Sequence, residues 1–179
     1  MTRVQKASAY ALVAAFALAA GVILQRGTRY QVPAESAPAS ASAQLTSVRL
    51  PDLAGHAQGL DQWRGRVLVV NFWATWCAPC RKEVPELIRA QSQWGQQGLQ
   101  IVGIAIDETE NVKPYAAEMG INYPVLIGGA EGLELARSVG DNLGVLPFTV
   151  VVDREGKAIS TQLGGIDRNK LAALIEPLF

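Results

Sequence analysis

Cys77 and Cys80 are the only cysteines in a chain of 179 residues, and they stand three apart in "NFWATWCAPCRKEVPEL", Asn71 to Leu87. Three chemistries use cysteines at such spacing. A structural disulfide closing so short a loop removes only about 2 kcal/mol of unfolded-chain entropy, and a domain of this size builds a core without it. A closed zinc site needs four N or S ligands, whereas the pair supplies two and His56 is the sole histidine. Two thiolates do suit a transient copper(I) ion. Thiol–disulfide exchange needs an accessible attacking thiolate with a resolving thiol in reach, and the setting of this pair supplies both.

That setting comes from the flanking elements. "RVLVVNFWA", Arg66 to Ala74, is a β-branched and aromatic run that predicts a fully buried strand. After the cysteines, Val84, Leu87, Ile88 and Trp94 recur at helical spacing as an inward face, with Glu83, Glu86, Arg89 and Gln93 toward water. Cys77 thus opens a helix, where free N–H groups and the helix dipole favour a thiolate. Pro79 suits the first turn because its missing N–H is not needed there. Cys80 follows one turn later on the same face. Downstream, Leu99–Asp107 and the run from Tyr123 read as strands, and Asn111–Met119 and Glu131–Val139 as helices. "PFTVVVD" and "KAISTQLG" form a hairpin around Arg154-Glu155-Gly156. Asp167 N-caps a last helix with Leu171, Leu174 and Ile175 inward. Helices alternating with strands and ending in a hairpin predict an α/β fold, a central mixed sheet flanked by helices.

With these residues in place, "VLVVNFWATWCAPCRKEVPEL" resembles the active-site segment of TlpA/ResA-like proteins. These are membrane-tethered thiol–disulfide oxidoreductases of thioredoxin-like fold. The resemblance runs from about Leu45 to the C-terminus, through "LPDLAG" and "VLPFTVVVDREGK". It implies that Cys77 is the nucleophile, Cys80 the resolving cysteine, and their redox-active disulfide the only redox group, with no cofactor or metal. It also implies that Pro147 is cis and faces the pair, and that Leu146 offers backbone to a bound substrate strand. Glu83 matches an acidic residue held near the cysteines in related reductases; a solvated helix charge is the alternative reading. Trp76 is expected as exposed apolar surface beside Cys77. The chain departs from the wider pattern twice. Asn71 stands where thioredoxins proper carry a buried Asp, so Glu83 or water must move any proton. Phe148 stands where Thr is common, which would narrow or grease the substrate groove.

Totals and termini bound the rest. Sixteen basic and sixteen acidic residues cancel, which removes any whole-molecule electrostatic case for nucleic acid. Ala7 to Leu24 carries no charge, and as a helix it would span roughly 27 Å, near a bilayer's hydrocarbon thickness. Residues 1–30 therefore read as a membrane anchor, with a cleaved signal sequence as the alternative. Gln31 to Gln44, rich in Pro, Ala and Ser, reads as a flexible linker, and residues 45–179 as the thioredoxin-like domain. The expectation is a reductase of protein disulfides at the bacterial inner membrane, facing the periplasm and re-reduced by a membrane electron donor. Cytochrome c maturation and copper-site assembly are the family's settings for it. A copper-delivery chaperone, or a thiol oxidase or peroxidase of the same fold, are the competing readings.

Overall fold

The computed structural model describes residues 34–179, so the expected anchor at Ala7–Leu24 lies outside the described residues. Among the described residues no helix is long and apolar enough to cross a membrane.

The chain enters as β1 (Glu35–Ser36), α1 (Ala41–Ser47), and a two-stranded ribbon of β2 (Arg49–Pro51) and β3 (Ala57–Gly59). There follow β4 (Val67–Trp73), α2 (Ala78–Trp94), β5 (Leu99–Ala105), α3 (Thr109–Met119), β6 (Val125–Ile127) and α4 (Gly129–Ser138). The hairpin β7 (Phe148–Val152) and β8 (Ala158–Leu163) and the helix α5 (Arg168–Ile175) complete it. The main sheet has the order β1-β8-β7-β4-β5-β6. β4, β5 and β6 are parallel, while β7, β8 and β1 join antiparallel. This is the mixed sheet the pattern predicts. The expected turn closes the hairpin, with the Asp153 N–H on the Lys157 carbonyl at 2.9 Å. Gly156 takes φ 86° there, a region closed to most side chains.

β4 sits at the centre, and all seven of its residues are buried. Its side chains alternate. Val67, Val69 and Trp73 pack beneath α2 and α5 with Val84, Leu87, Leu171 and Ile175. Leu68, Val70 and Phe72 point the other way, against Leu45, Leu135 and Val139 from α1, α4 and its end. At roughly 1.5–3 kcal/mol per fully buried large apolar side chain, this strand is the chief fixed point of the fold. Asp167 caps α5 as expected, its carboxylate accepting the Lys170 N–H at 2.9 Å.

One boundary differs from the sequence expectation. Part of the stretch read as a linker belongs to the sheet and core. Glu35 and Ser36 pair with Thr161 and Ser160 on β8, and the Ala158 N–H donates to Ser42 Oγ at 2.8 Å. Ala41 is fully buried and Leu45 is 2% exposed. A seven-residue helix needs only this i, i+4 pair to meet a core, too little to register against so much Ala and Ser. The packed domain accordingly begins upstream of Leu45.

This placement has a measurable consequence. Ala41→Leu should overpack the site and cost about 1–3 kcal/mol in denaturant unfolding, whereas Ala43→Leu, on the exposed side of α1, should cost almost nothing. Equal effects at the two positions would return the segment to a linker.

Candidate active site

The loop leaving β4 delivers Cys77 to the N-cap of α2 with extended backbone, φ −83° and ψ 105°. Its Sγ accepts the Cys80 N–H at 3.3 Å, one of the donors a helix start leaves free. The two cysteines form a disulfide with Cα atoms 5.3 Å apart. Cys80 has no exposed surface and Cys77 only 5%. The accessibility expected of Cys77 is thus a narrow opening in the oxidised pair, and it belongs to Cys77 alone.

Two carboxylates fix the loops around that opening. Asp107, after β5, accepts the Thr75 N–H at 3.0 Å and the Thr75 hydroxyl on one oxygen. Its other oxygen takes the Glu108 N–H and the Asn111 side-chain amide. Burial raises this carboxyl's pKa, but the hydrogen bonds outweigh it and hold the group below its ordinary value. Asp141, almost fully buried, accepts the Val145 N–H at 3.1 Å and so shapes the approach to Leu146. The Leu146–Pro147 bond is cis, as the resemblance implied.

Cys77 opens onto a groove of about 520 Å³ walled by Trp76, Pro79, Ile106, Val145 and Leu146, and no charged residue lines it. Trp76 is 68% exposed, as expected. Leu143 and Val145 are also large exposed apolar residues. Phe148 does not reach the groove. It is 1% exposed and lies 5.9 Å from Phe72, centroid to centroid, within the core on the α1 and α4 side. Phe148, the first residue of β7, pairs directly with Phe72 of β4 and so shares its face of the sheet.

For Glu83 the helical spacing points toward water and the resemblance toward the cysteines; the side chain lies inside. It is 3% exposed. One carboxylate oxygen accepts the Asn71 side-chain amide at 2.8 Å, and the other accepts the Ile166 N–H at 2.9 Å. Asn71 also donates to Thr149 Oγ1 at 3.1 Å. Burial raises the Glu83 pKa to about 7, against the opposing pull of those two donors. The helical period places Glu83 on the margin of the apolar stripe; β4 below it and the loop before α5 decide that it goes in. A lone Asn within a buried strand was the available signal. Asp107 and Asp141 left none, since each looks like a loop residue. Among the described residues no group of three or more His, Cys, Asp or Glu side chains gathers where a metal could sit.

Comparison with known proteins agrees with this geometry. The model of the Redoxin family matches residues 34–175. The thiol-disulfide oxidoreductase ResA of Geobacillus kaustophilus is 28% identical over 130 residues, 72% of each chain. That of Halalkalibacterium halodurans is 26% identical over 144 residues, 80% of each. Among solved structures, a thioredoxin-family thiol:disulfide interchange protein from Chlorobium tepidum superposes with a TM-score of 0.68. It is 28% identical, with 82% of this chain and 99% of that one covered. A thioredoxin-related protein from Neisseria meningitidis serogroup B gives 0.65 at 30% identity, over 72% and 97%. The mixed sheet is therefore a thioredoxin-like fold, and its matched region takes in β1 and α1. The chain belongs to the Redoxin family and, within it, to the TlpA/ResA-like thiol–disulfide oxidoreductases.

Proposed function

We propose that this thiol–disulfide oxidoreductase works in the reducing direction on disulfides of extracytoplasmic proteins, held at the bacterial inner membrane by residues 1–30. The observation that carries the chemistry is the asymmetry of the pair. Cys77 alone opens onto an apolar groove, and Cys80 alone lies wholly within, one helical turn before the buried Glu83.

The reaction follows from that arrangement. In the reduced protein the Cys77 thiolate, favoured by the helix N-terminus and the Cys80 N–H, attacks one sulfur of a substrate disulfide. A mixed disulfide forms, and the substrate's other sulfur leaves as a thiolate that takes a proton from solvent. Cys80 then gives its proton to Glu83 and attacks Cys77 Sγ. The Cys77–Cys80 disulfide forms, the second substrate thiolate leaves, and two electrons have passed to the substrate. A carboxyl with a pKa near 7 accepts and returns protons at neutral pH. Asn71 tolerates both states: its amide donates to the carboxylate, and the same side chain rotated would accept from the acid. Trp76, Leu146 and the Pro147 turn hold the substrate segment against the groove. A membrane electron donor must restore the dithiol. The substrate readings supported by the family resemblance are apocytochrome c and proteins that assemble copper sites.

Cys80→Ser should retain the Cys77 thiol and stall with partner proteins as mixed disulfides, isolable by non-reducing gel and mass spectrometry. Trapping through Cys80 in a Cys77→Ser variant instead would reverse the two roles.

Glu83→Gln should flatten the pH–rate profile of the exchange step near pH 7. It should also alter stability with a defined sign. The folded state binds the Glu83 proton more tightly than the unfolded chain, so wild type keeps that stabilisation below about pH 4.5 and loses it as pH rises through about 7. The loss is on the order of 3 kcal/mol, and Glu83→Gln should be free of it. A variant whose stability tracks wild type across that window would leave Glu83 without a role in proton movement.

Direction has its own test. Ala78 and Pro79 add no charge beside the Cys77 thiolate, so the reduced state gains little beyond the helix N-terminus. Equilibration with dithiothreitol or glutathione buffers should give a potential nearer roughly −270 mV than −120 mV. A value above about −150 mV would make the protein an oxidant.

A further inference from the structure

Substrate docked over Cys77 covers the groove, yet Glu83 must still exchange its proton with solvent once per turnover. The core around it offers another way out. Asn71, which holds Glu83, pairs directly across the sheet with Gly103 of β5. Gly103 has no side chain, and the space above it is taken by Trp73 Nε1 and the Tyr123 ring, 2.8 and 3.4 Å from where a Cβ would stand. Trp73 in turn lies 5.5 Å from the Tyr115 ring, centroid to centroid. Asn71 Oδ1, Trp73 Nε1, Tyr115 Oη and Tyr123 Oη are all buried without a hydrogen-bond partner among the protein groups. Four such atoms within one apolar layer make a polar seam beside Glu83, where buried polar groups are ordinarily satisfied by protein or water. Tyr123 sits at its outer end. Though only 6% exposed, it lines a separate open cleft of about 510 Å³ with Asp52, Gln58, Gln62 and Pro124. That cleft shares no lining residue with the Cys77 groove.

The geometry points to Tyr123 as a positioning residue for proton exchange, connecting the buried Glu83 to solvent through the cleft beside β3 and β6. This rests on the proton role proposed for Glu83. The step is neutral overall: the buried Tyr123 hydroxyl passes its proton to a water entering from the cleft as it receives one from the Glu83 acid, directly or across one water. The groups facing Glu83 are Asn71 from β4, the Ile166 N–H before α5, and Tyr123 before β6. Glu83 and Tyr123 interact electrostatically, as do Tyr123 and Tyr115, consistent with a shared seam.

Tyr123→Phe in the full-length protein tests this, because it keeps the ring and removes only the hydroxyl. Resolution of the mixed disulfide, followed by stopped-flow with a disulfide-bonded peptide, should slow on the order of tenfold below pH 7. Its solvent deuterium isotope effect should rise, while the equilibrium potential and the unfolding midpoint stay those of wild type. Unchanged rate and isotope effect in Tyr123→Phe would overturn the route, as would the same effect arising from Tyr115→Phe instead. Glu83→Gln run in parallel separates the two ideas. If it flattens the pH profile while Tyr123→Phe changes nothing, Glu83 keeps its role and the Tyr123 route falls. If neither variant moves the profile, both fall.

Discussion

A strand with no exposed residue obliges the chain to cover it twice. β4 carries seven buried side chains, and neither face can meet water without forfeiting the burial that holds the domain together. The cover on one side is α2 with α5, and on the other α1 with α4. Because the side-chain period in a strand is two, the positions that carry the chemistry are fixed by the same alternation. Asn71 shares its face with Val67, Val69 and Trp73, so its amide rises beneath α2. The exit from β4 then decides where α2 begins and hence where Cys77 stands.

The two sides of α2's first turns consequently experience different media. Outside, Cys77 meets an uncharged groove bordered by exposed Trp76 and Val145. Inside, Glu83 meets two hydrogen-bond donors and an apolar layer. A charged carboxylate in such surroundings lacks the hydration it had in the unfolded chain, and two donors repay only part of it. The result is a carboxyl balanced between its two states near neutrality. Thioredoxins proper place the ionisable group on the strand; in this chain the strand offers an amide and the helix offers the acid.

Much of this could be read beforehand, for identifiable reasons. The cysteine pair, Pro147 and the β4 run carry local signatures, and the hairpin after Phe148 announces itself through its turn. Helical spacing alone turns Glu83 toward water, because it orders side chains around an axis without saying what covers the margin of the apolar stripe. The Ile166 N–H that binds it comes from 83 residues further along the chain. The position of Phe148 beside Pro147 suggests the groove, yet its pairing with Phe72 sends it into the core. The composition of α1 resembles a linker because Ala and Ser hide a two-residue contact. In each case the missing information was a partner distant in sequence.

Gly103 has a meaning for descent as well as for packing. Any side chain there would collide with Trp73 Nε1 and crowd Tyr123, so the three positions are not free to drift one at a time. A lineage that acquired even alanine at 103 would need a smaller or shifted residue at 73, and some give in the ring at 123, in the same period of its history. Trp73 lies four residues before Cys77 and Tyr123 borders a distant cleft, yet one absent methyl group binds them into a single heritable unit. Evolution near this redox pair is thereby constrained from the neighbouring strand, at a position that carries no side chain.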